Sequence, residues 1–339
     1  MRDTAPRERV ILVGAGLKSE RALMLSSLVE LQGLAETAGA AVVGEFNQSL
    51  DRFHPGTLIG EGKIDEISRA AGALKARTVI FDVELAPAQQ KNLERLIKAK
   101  IVDRTRLILD IFARRAKTSE GRLQVELAQL SYMLPRLTGA WRAFSQQVGG
   151  IGTRGPGERK LEYERRHIQL RIKRLRAELE RVRDSRALRR RRRLAVPVPQ
   201  IALIGYTNAG KSTLLNALSR GTKVYADDKL FATLDPTSRR VRLPEGSWIV
   251  ATDTVGFIQR LPTTLVAAFR STLEEAALAD CLVLVLDASS PAWEKQEAAV
   301  DSVLGELGAT GLPQIRVFNK ADLLEPDIRQ ALLNRFPDR

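Results

Sequence analysis

The octapeptide Gly205-Tyr206-Thr207-Asn208-Ala209-Gly210-Lys211-Ser212, continued by Thr213, constrains this chain more than any other segment. The apolar run Ile201-Ala202-Leu203-Ile204 precedes it and the helix-like Thr213-Leu214-Leu215-Asn216-Ala217-Leu218 follows. A strand, a glycine-framed loop and a helix, in that order, are what a phosphate-binding loop requires. Gly205 and Gly210 let the backbone wrap closely enough for amide N–H groups to converge on phosphate oxygens. Lys211 adds a point charge at the β- and γ-phosphates, and the Ser212 hydroxyl is placed to ligate magnesium. The bland alternative, a chance glycine turn before a helix, loses weight once the downstream motifs are read.

Those motifs follow in the order of a guanine-nucleotide switch. Asp253-Thr254-Val255-Gly256 closes the apolar stretch Trp248-Ile249-Val250-Ala251. An aspartate at a strand end can hold magnesium through water, and Gly256 lets the backbone meet a γ-phosphate. Asn319-Lys320-Ala321-Asp322 follows the apolar Ile315-Arg316-Val317-Phe318. The Asp322 carboxylate can accept from both N1–H and the 2-amine of guanine. Adenine offers an acceptor at N1 and no 2-amine, a mispairing that costs several kcal/mol, roughly. Either four-residue motif recurs by chance; together, behind a phosphate loop, they specify GTP and its product GDP over ATP.

Between them lies Leu230-Phe231-Ala232-Thr233-Leu234-Asp235-Pro236-Thr237. A loop at this place should bring residues 231–235 to the nucleotide and supply a threonine that closes over magnesium while the γ-phosphate is present. Thr233 is the first choice and Thr237 the second, with an ordinary strand or turn threonine as the bland reading. Lys211 and Thr233 are the expected catalytic residues. Ser212 and Thr233 would ligate Mg2+ directly and Asp253 through water.

The segments FATLDPT (231–237), DTVGFIQRLP (253–262) with TLVAAFRSTLEE (264–275), LQVELAQLSYMLPRL (123–137) and GGIGTRGPGE (149–158) together resemble the HflX GTPases. The likeness runs from about residue 10 to the last residue, and 120–158 and 231–275 are its specific parts. It implies a bacterial-type GTPase that binds the large ribosomal subunit and its RNA and promotes subunit separation. In that resemblance the glycine-rich loop reaches into the functional centre of the large subunit.

Phe257 follows Gly256, where Ras-like enzymes place a glutamine that orients water. Phenylalanine cannot polarise water, and Gln259 is displaced along the chain, so slow intrinsic hydrolysis and activation by a partner are expected. Asn208 matches the phosphate-loop asparagine that in several related translational GTPases coordinates K+. The plainer reading is that asparagine tolerates the loop's backbone geometry.

The chain has 339 residues, enough for two domains or more. One cysteine, Cys281, excludes an internal disulfide, and its place at the head of Cys281-Leu282-Val283-Leu284-Val285-Leu286 reads as a buried strand position. His54 and His167 are the two histidines, so histidine-based catalysis is not expected. The first ten residues are charged where a signal peptide needs an apolar core, and apolar runs fall short of the roughly 20 residues that span a bilayer. A cytoplasmic monomer is the expectation.

The formal charge is +14, and residues 141–195 hold 18 Lys/Arg against 6 Asp/Glu, a net of +12. The excess ends in Arg189-Arg190-Arg191-Arg192-Arg193. Arginines this dense face phosphate backbones readily, although a charge run is often a solvated helix face or a linker. Confinement of the excess to one sixth of the chain favours RNA over an anionic membrane surface. The leucines 123, 127, 130, 134 and 137 step by four, three, four and three residues, and Ile168, Ile172, Leu175, Leu179 and Val182 repeat those steps. Each set is a two-position seam. Ten residues from Val148 to Gly157, five of them glycine, separate the two. Two antiparallel helices with a glycine-rich tip are predicted, the second extending roughly 50 Å over about 33 residues. Pro135 predicts a kink near Leu134. Within the tip, Arg154 among glycines could lie against an RNA backbone.

The N-terminal part reads α/β, with strands at Val10–Val13, Ala41–Phe46 and Thr78–Asp82 and helices near 19–38, 62–76 and 87–99. Gly14-Ala15-Gly16 lacks the third glycine of a dinucleotide fingerprint. Gly60-Glu61-Gly62-Lys63 reads as a loop entering a helix. The predicted layout is an α/β domain over 1–115, a helical hairpin over 116–195 with its tip at 148–157, and a proline linker at 196–199. A GTPase domain over 200–339 with a mostly parallel sheet completes it. Asp322 stands 17 residues before Arg339, so a final strand, a closing helix and a base-contacting loop are expected to be missing, with weakened guanine affinity. Three functions remain open: a GTP-driven ribosome remodeller, an RNA-binding module whose nucleotide domain does little, or a GTPase maturing another RNA such as tRNA.

Overall fold

Parallel strands covered on both faces need continuous apolar runs, and this chain supplies two sets of them. The computed structural model describes residues 7–145, 156–193, 198–219, 230–231, 233–259 and 277–336, with side chains described outside 138–145, 156–161 and 186–193. Two compact units result, one of Met1–Arg114 with Val125–Glu178 and one of Arg115–Gln124 with Leu179–Arg339.

In the first unit, strands β1 (Arg9–Leu17), β2 (Ala41–Leu50), β3 (Thr78–Phe81) and β4 (Lys100–Asp103) form a parallel sheet in the order β2-β1-β3-β4. Helices α1 (Arg21–Thr37), α2 (Glu61–Ala73) and α3 (Pro87–Ile97) alternate with them, and α4 (Arg104–Arg115) follows β4. Strand β4 and helix α4 escaped the sequence reading. The strand is four residues long and runs without punctuation into the helix, so neither periodicity had room to show.

Helix α1 buries Met24, Ser27, Leu28, Leu31, Leu34 and Ala35, one face at helical spacing. The strand beneath must be small for that face to settle. A Cβ on Gly16 would stand 3.0 Å from the Met24 Cβ, and one on Gly14 would stand 3.3 Å from a Leu28 methyl. Gly14-Ala15-Gly16 therefore serves strand–helix packing. Gly60 precedes α2, as expected of a loop entering a helix.

Helix α5 (Ser119–Ser145) continues through Pro135 as one helix. Its Leu123, Leu127, Leu130, Leu134 and Leu137 are half-buried, whereas Val125, Ala128 and Tyr132 are buried. The helix therefore has a second apolar face, set against the first unit. Asp103, 1 % exposed at the end of β4, organises it. Its carboxylate accepts the N–H groups of Leu85 (3.1 Å) and Arg106 (2.8 Å), the Tyr132 hydroxyl (2.8 Å) and Arg136 Nη2 (2.9 Å). The Arg136 guanidinium lies 3.4 Å from the Tyr132 ring centroid. Four donors offset the desolvation of a buried carboxylate. Burial and the neighbouring Asp103 charge both push the Tyr132 phenol above its ordinary range.

Helix α6 (Pro156–Arg193) begins at a proline, which suits a first helical position, and its 38 residues would extend about 57 Å. Ile172 and Leu175 are buried, while Ile168, Leu179 and Val182 are half-buried. Arg171 forks onto Glu126 of α5 at 2.7 and 2.8 Å. Arg154 and most of the tip lie outside the described residues, as do Val196 and Pro197 of the proline linker and the side chains of Arg189 to Arg193. Of the hairpin residues, 125–178 fall in the first compact unit and 116–124 and 179–195 in the second.

In the second unit, β5 (Gln200–Gly205), β6 (Thr237–Arg242), β7 (Trp248–Asp253), β8 (Cys281–Asp287) and β9 (Gln314–Asn319) form a sheet in the order β6-β7-β5-β8-β9. All pair in parallel except β6 with β7. Helices α7 (Lys211–Leu218), α8 (Trp293–Glu306) and α9 (Pro326–Arg335) follow strands of this sheet. Leu203, Ala209, Leu215, Val241, Ala251, Val283 and Val285 make its core. Cys281 is half-buried rather than buried, since it opens its strand at the surface. Among the described residues, no helix is long and apolar enough to cross a membrane.

Replacing Tyr132 with Phe removes one of four donors from the buried Asp103 carboxylate. The first unit should lose about 1.5–3 kcal/mol, measured as a lowered urea midpoint with the far-UV circular dichroism unchanged.

Candidate functional site: a phosphate loop and its switch residues

The carboxyl ends of β5, β7, β8 and β9 carry the loops that assemble the site, the position that a parallel sheet reserves for ligands. The backbone between Gly205 and Lys211 is held by strand-like bonds to the neighbouring loop. Thr207 N–H donates to Phe257 O (2.7 Å) and Phe257 N–H to Gly205 O (3.1 Å), so Tyr206 and Phe257 form a parallel bridge. Phe257 is buried, its side chain used in packing. Asn208 is exposed at φ 61°, the left-handed conformation that asparagine tolerates. Thr213 is exposed on α7.

Gly210 has φ 95°, and a Cβ there would stand 2.0 Å from Asn319 Nδ2. Asn319 occupies that space because its amide donates to Ala209 O at 2.9 Å. The guanine motif thus braces the phosphate loop directly. Lys320, at φ 60°, donates to Asp287 Oδ2 at 2.7 Å, and Ala288 N–H donates to Asn319 O at 2.9 Å. Ala321 and Asp322 start a single 3-10 turn, and Asp322 is exposed. Asp287 was missed in the sequence, although an acidic residue ending the apolar run of β8 was a readable signal.

Lys211 is 6 % exposed and its ammonium donates to Gly205 O (3.0 Å) and Tyr206 O (2.8 Å). Burial pushes its pKa down to about 8, against the pull of the Asp253 charge. Asp253 is fully buried at the end of β7. Its Oδ2 accepts the Ser212 hydroxyl at 2.5 Å, and Ser212 Oγ lies 2.8 Å from Thr233 Oγ1. Its Oδ1 is buried and takes no hydrogen bond of ordinary geometry among the described residues. Desolvation raises this carboxyl, while the Lys211 charge and the Ser212 and Thr233 hydroxyls hold it back. Thr254 turns its hydroxyl to Leu203 O at 2.7 Å, and Val255 is buried. Gly256 meets the loop so closely that a Cβ would come within 2.8 Å of Thr207 Cα and 2.9 Å of Lys211 Nζ.

The switch segment is brought to the same place. Phe231 (φ 56°) and Leu234 are buried, and Thr233 faces Ser212. Thr237 instead opens β6 opposite Asp253, so Thr233 is the threonine that stands beside Ser212. Asp235 departs from the expectation: its carboxylate is engaged by Lys117 and Thr118. Ala232 lies outside the described residues, as does the segment TLVAAFRSTLEE.

Three family models match in tandem: a GTP-binding GTPase N-terminal region over residues 25–113, a GTP-binding GTPase middle region over 115–193, and a 50S ribosome-binding GTPase over 200–320. GTPase HflX of Caldanaerobacter subterraneus subsp. tengcongensis is 51 % identical over 319 residues, covering 94 % of this chain and 74 % of that protein. GTPase HflX of Escherichia coli is 47 % identical over 301 residues, covering 89 % and 70 %. The chain belongs to the HflX GTPase family. A GTP-binding protein from the archaeon Sulfolobus solfataricus, solved with GDP, shares the fold with TM-score 0.51 at 24 % identity over 97 % of this chain and 88 % of that one. The enzyme class, a GTPase, follows from the family, and the chain spans about three quarters of the length of these relatives.

Nucleotide binding should be linked to protonation of Lys211. Without phosphate the buried amine loses its proton above pH about 8, whereas phosphate oxygens hold it charged. Binding at pH above 8 must then take up a proton, and affinity falls as pH rises. Between pH 7.0 and 8.8 the GDP affinity should drop about six-fold. Calorimetry in buffers of different ionisation heat reads the proton uptake directly, and Lys211→Ala should abolish it.

Proposed function

We propose that this GTPase binds GTP with Mg2+, associates with the large ribosomal subunit through its basic helical arm, and promotes separation of ribosomal subunits. The observation that carries the switch part is the convergence of Ser212, Thr233 and Asp253 beside the buried Lys211 ammonium. Two hydroxyls and a carboxylate with one unsatisfied oxygen are hard donors of the kind Mg2+ takes. Ser212 and Thr233 would hold the ion directly and Asp253 through water. Bound there, Mg2+ would neutralise charge on the β- and γ-phosphate oxygens.

The chain's own residues do the rest. Lys211 exchanges the Gly205 and Tyr206 carbonyls for phosphate oxygens, and Gly256 leaves its amide free to approach the γ-phosphate. Asp322 reads the guanine edge. Thr233 is close enough to Ser212 to close over the ion and to be released when the γ-phosphate leaves. Phe257 contributes no polar group, so hydrolysis is slow until a partner orders the attacking water.

The ribosomal reading is supported by the 50S ribosome-binding description of the matched nucleotide domain and by the charge of α6. Arg165, Arg166, Lys173, Arg174, Arg176 and Arg181 stand exposed along it. Such a face gains affinity for RNA phosphates by counterion release.

Co-sedimentation with isolated large subunits tests the proposal. The wild-type chain should pellet about ten-fold more tightly with a non-hydrolysable GTP analogue than with GDP, and Lys211→Ala should lose the difference. Light scattering of intact ribosomes should fall in GTP with the wild type only. Equal pelleting in both nucleotides, with Lys211→Ala unimpaired, would support an RNA-binding module or an RNA-maturation GTPase instead.

A further inference from the structure

Asp235 sits two residues beyond Thr233, and its carboxylate is held at the first turn of α5, more than a hundred residues away in sequence. Oδ2 accepts the backbone N–H groups of Lys117 (2.8 Å) and Thr118 (3.0 Å), and Oδ1 accepts the Thr118 hydroxyl (2.5 Å). Thr118 Oγ1 in turn accepts Gly121 N–H at 2.9 Å, which makes Thr118 the cap of α5. An anion placed there meets the positive end of the helix dipole. All of these residues lie within the second compact unit.

Gly121 is what permits the approach. A Cβ on it would stand 2.3 Å from Asp235 Oδ1, far inside contact distance. Glycine in a helix costs about 1 kcal/mol relative to alanine, so its presence in this turn has a local disadvantage that the close approach explains. On the other side, Leu234 is buried, and Thr233 Oγ1 lies 2.8 Å from Ser212 Oγ. Fixing the Asp235 carboxylate therefore fixes the backbone that carries Thr233.

We propose that Asp235 is a positioning residue for GTP hydrolysis: anchored on the capped start of α5, it holds Thr233 in reach of Ser212 and couples that helix terminus to the nucleotide state. The proposal deepens the reading of Thr233 as the group that closes over Mg2+. Coupling is reciprocal, so whatever loosens the start of α5 weakens the triphosphate state, and triphosphate tightens the start of α5. An ordinary helix cap predicts something else, a change in stability with no preference between nucleotides.

The test uses the full chain with Gly121→Ala, Thr118→Val and the conservative Thr118→Ser. Equilibrium binding of GDP and of a non-hydrolysable GTP analogue, both in Mg2+, is measured beside amide hydrogen exchange of residues 119–124. In Gly121→Ala and Thr118→Val the analogue should bind about five- to ten-fold more weakly while GDP stays within about two-fold. Thr118→Ser should restore the ratio. The analogue should protect 119–124 in the wild type and not in Gly121→Ala. An unchanged ratio together with an unchanged exchange response overturns the proposal. So does an equal loss of GDP and analogue, which marks damage to the fold. GDP binding by the unsubstituted chain is the separate control on the nucleotide site itself.

Discussion

A buried ammonium with two main-chain carbonyls for partners is the interaction on which the second unit turns. Lys211 is held by Gly205 and Tyr206, and burial already weakens its hold on a proton. Carbonyl oxygens stabilise a cation less than phosphate does, so the site is built to exchange one set of acceptors for a better one. The surroundings keep that exchange available. Asn319 braces Ala209 from the guanine motif, Phe257 bonds the loop through its backbone, and Gly256 leaves room beside Nζ. Each of these contacts joins two sequence motifs, which explains why the motifs are useful together.

The first unit relies on a comparable centre of opposite sign. Asp103 gathers donors from the loop after β3, the first turn of α4 and two side chains of α5. A fully hydrogen-bonded buried carboxylate specifies one arrangement of the elements around it, because any other leaves charge unpaired. Nearby, Arg104 is paired with Asp82 at 2.6 Å and with Glu30. Charged residues thus help to fix where helices settle on the sheet.

Much of this was legible in the sequence, for identifiable reasons. The phosphate loop, the aspartate and glycine of the second motif and the asparagine of the third depend on residue type at fixed spacing, and the structure brings them together. The parallel strands were legible from their apolar runs. What escaped depends on long-range geometry. Tyr132 and Arg136 looked like ordinary members of a leucine-patterned helix, and no local pattern marks them as donors to Asp103. Strand β4 was too short for its period to register. Asp235 was read as a nucleotide contact from its place in the switch segment, and its partners at Lys117 and Thr118 leave no trace in the local sequence.

The central claim is that the Lys211 loop and the Asn319–Asp322 motif form one guanine-nucleotide site. Equilibrium titration of the full chain in Mg2+ with fluorescent GDP, competed by unlabelled GDP and ADP, tests it most directly. The account predicts saturable binding at one site, with ADP competing at least about a hundred-fold more weakly because Asp322 faces a lone pair instead of two donors. Absence of saturable binding, or equal competition by ADP and GDP, would contradict it.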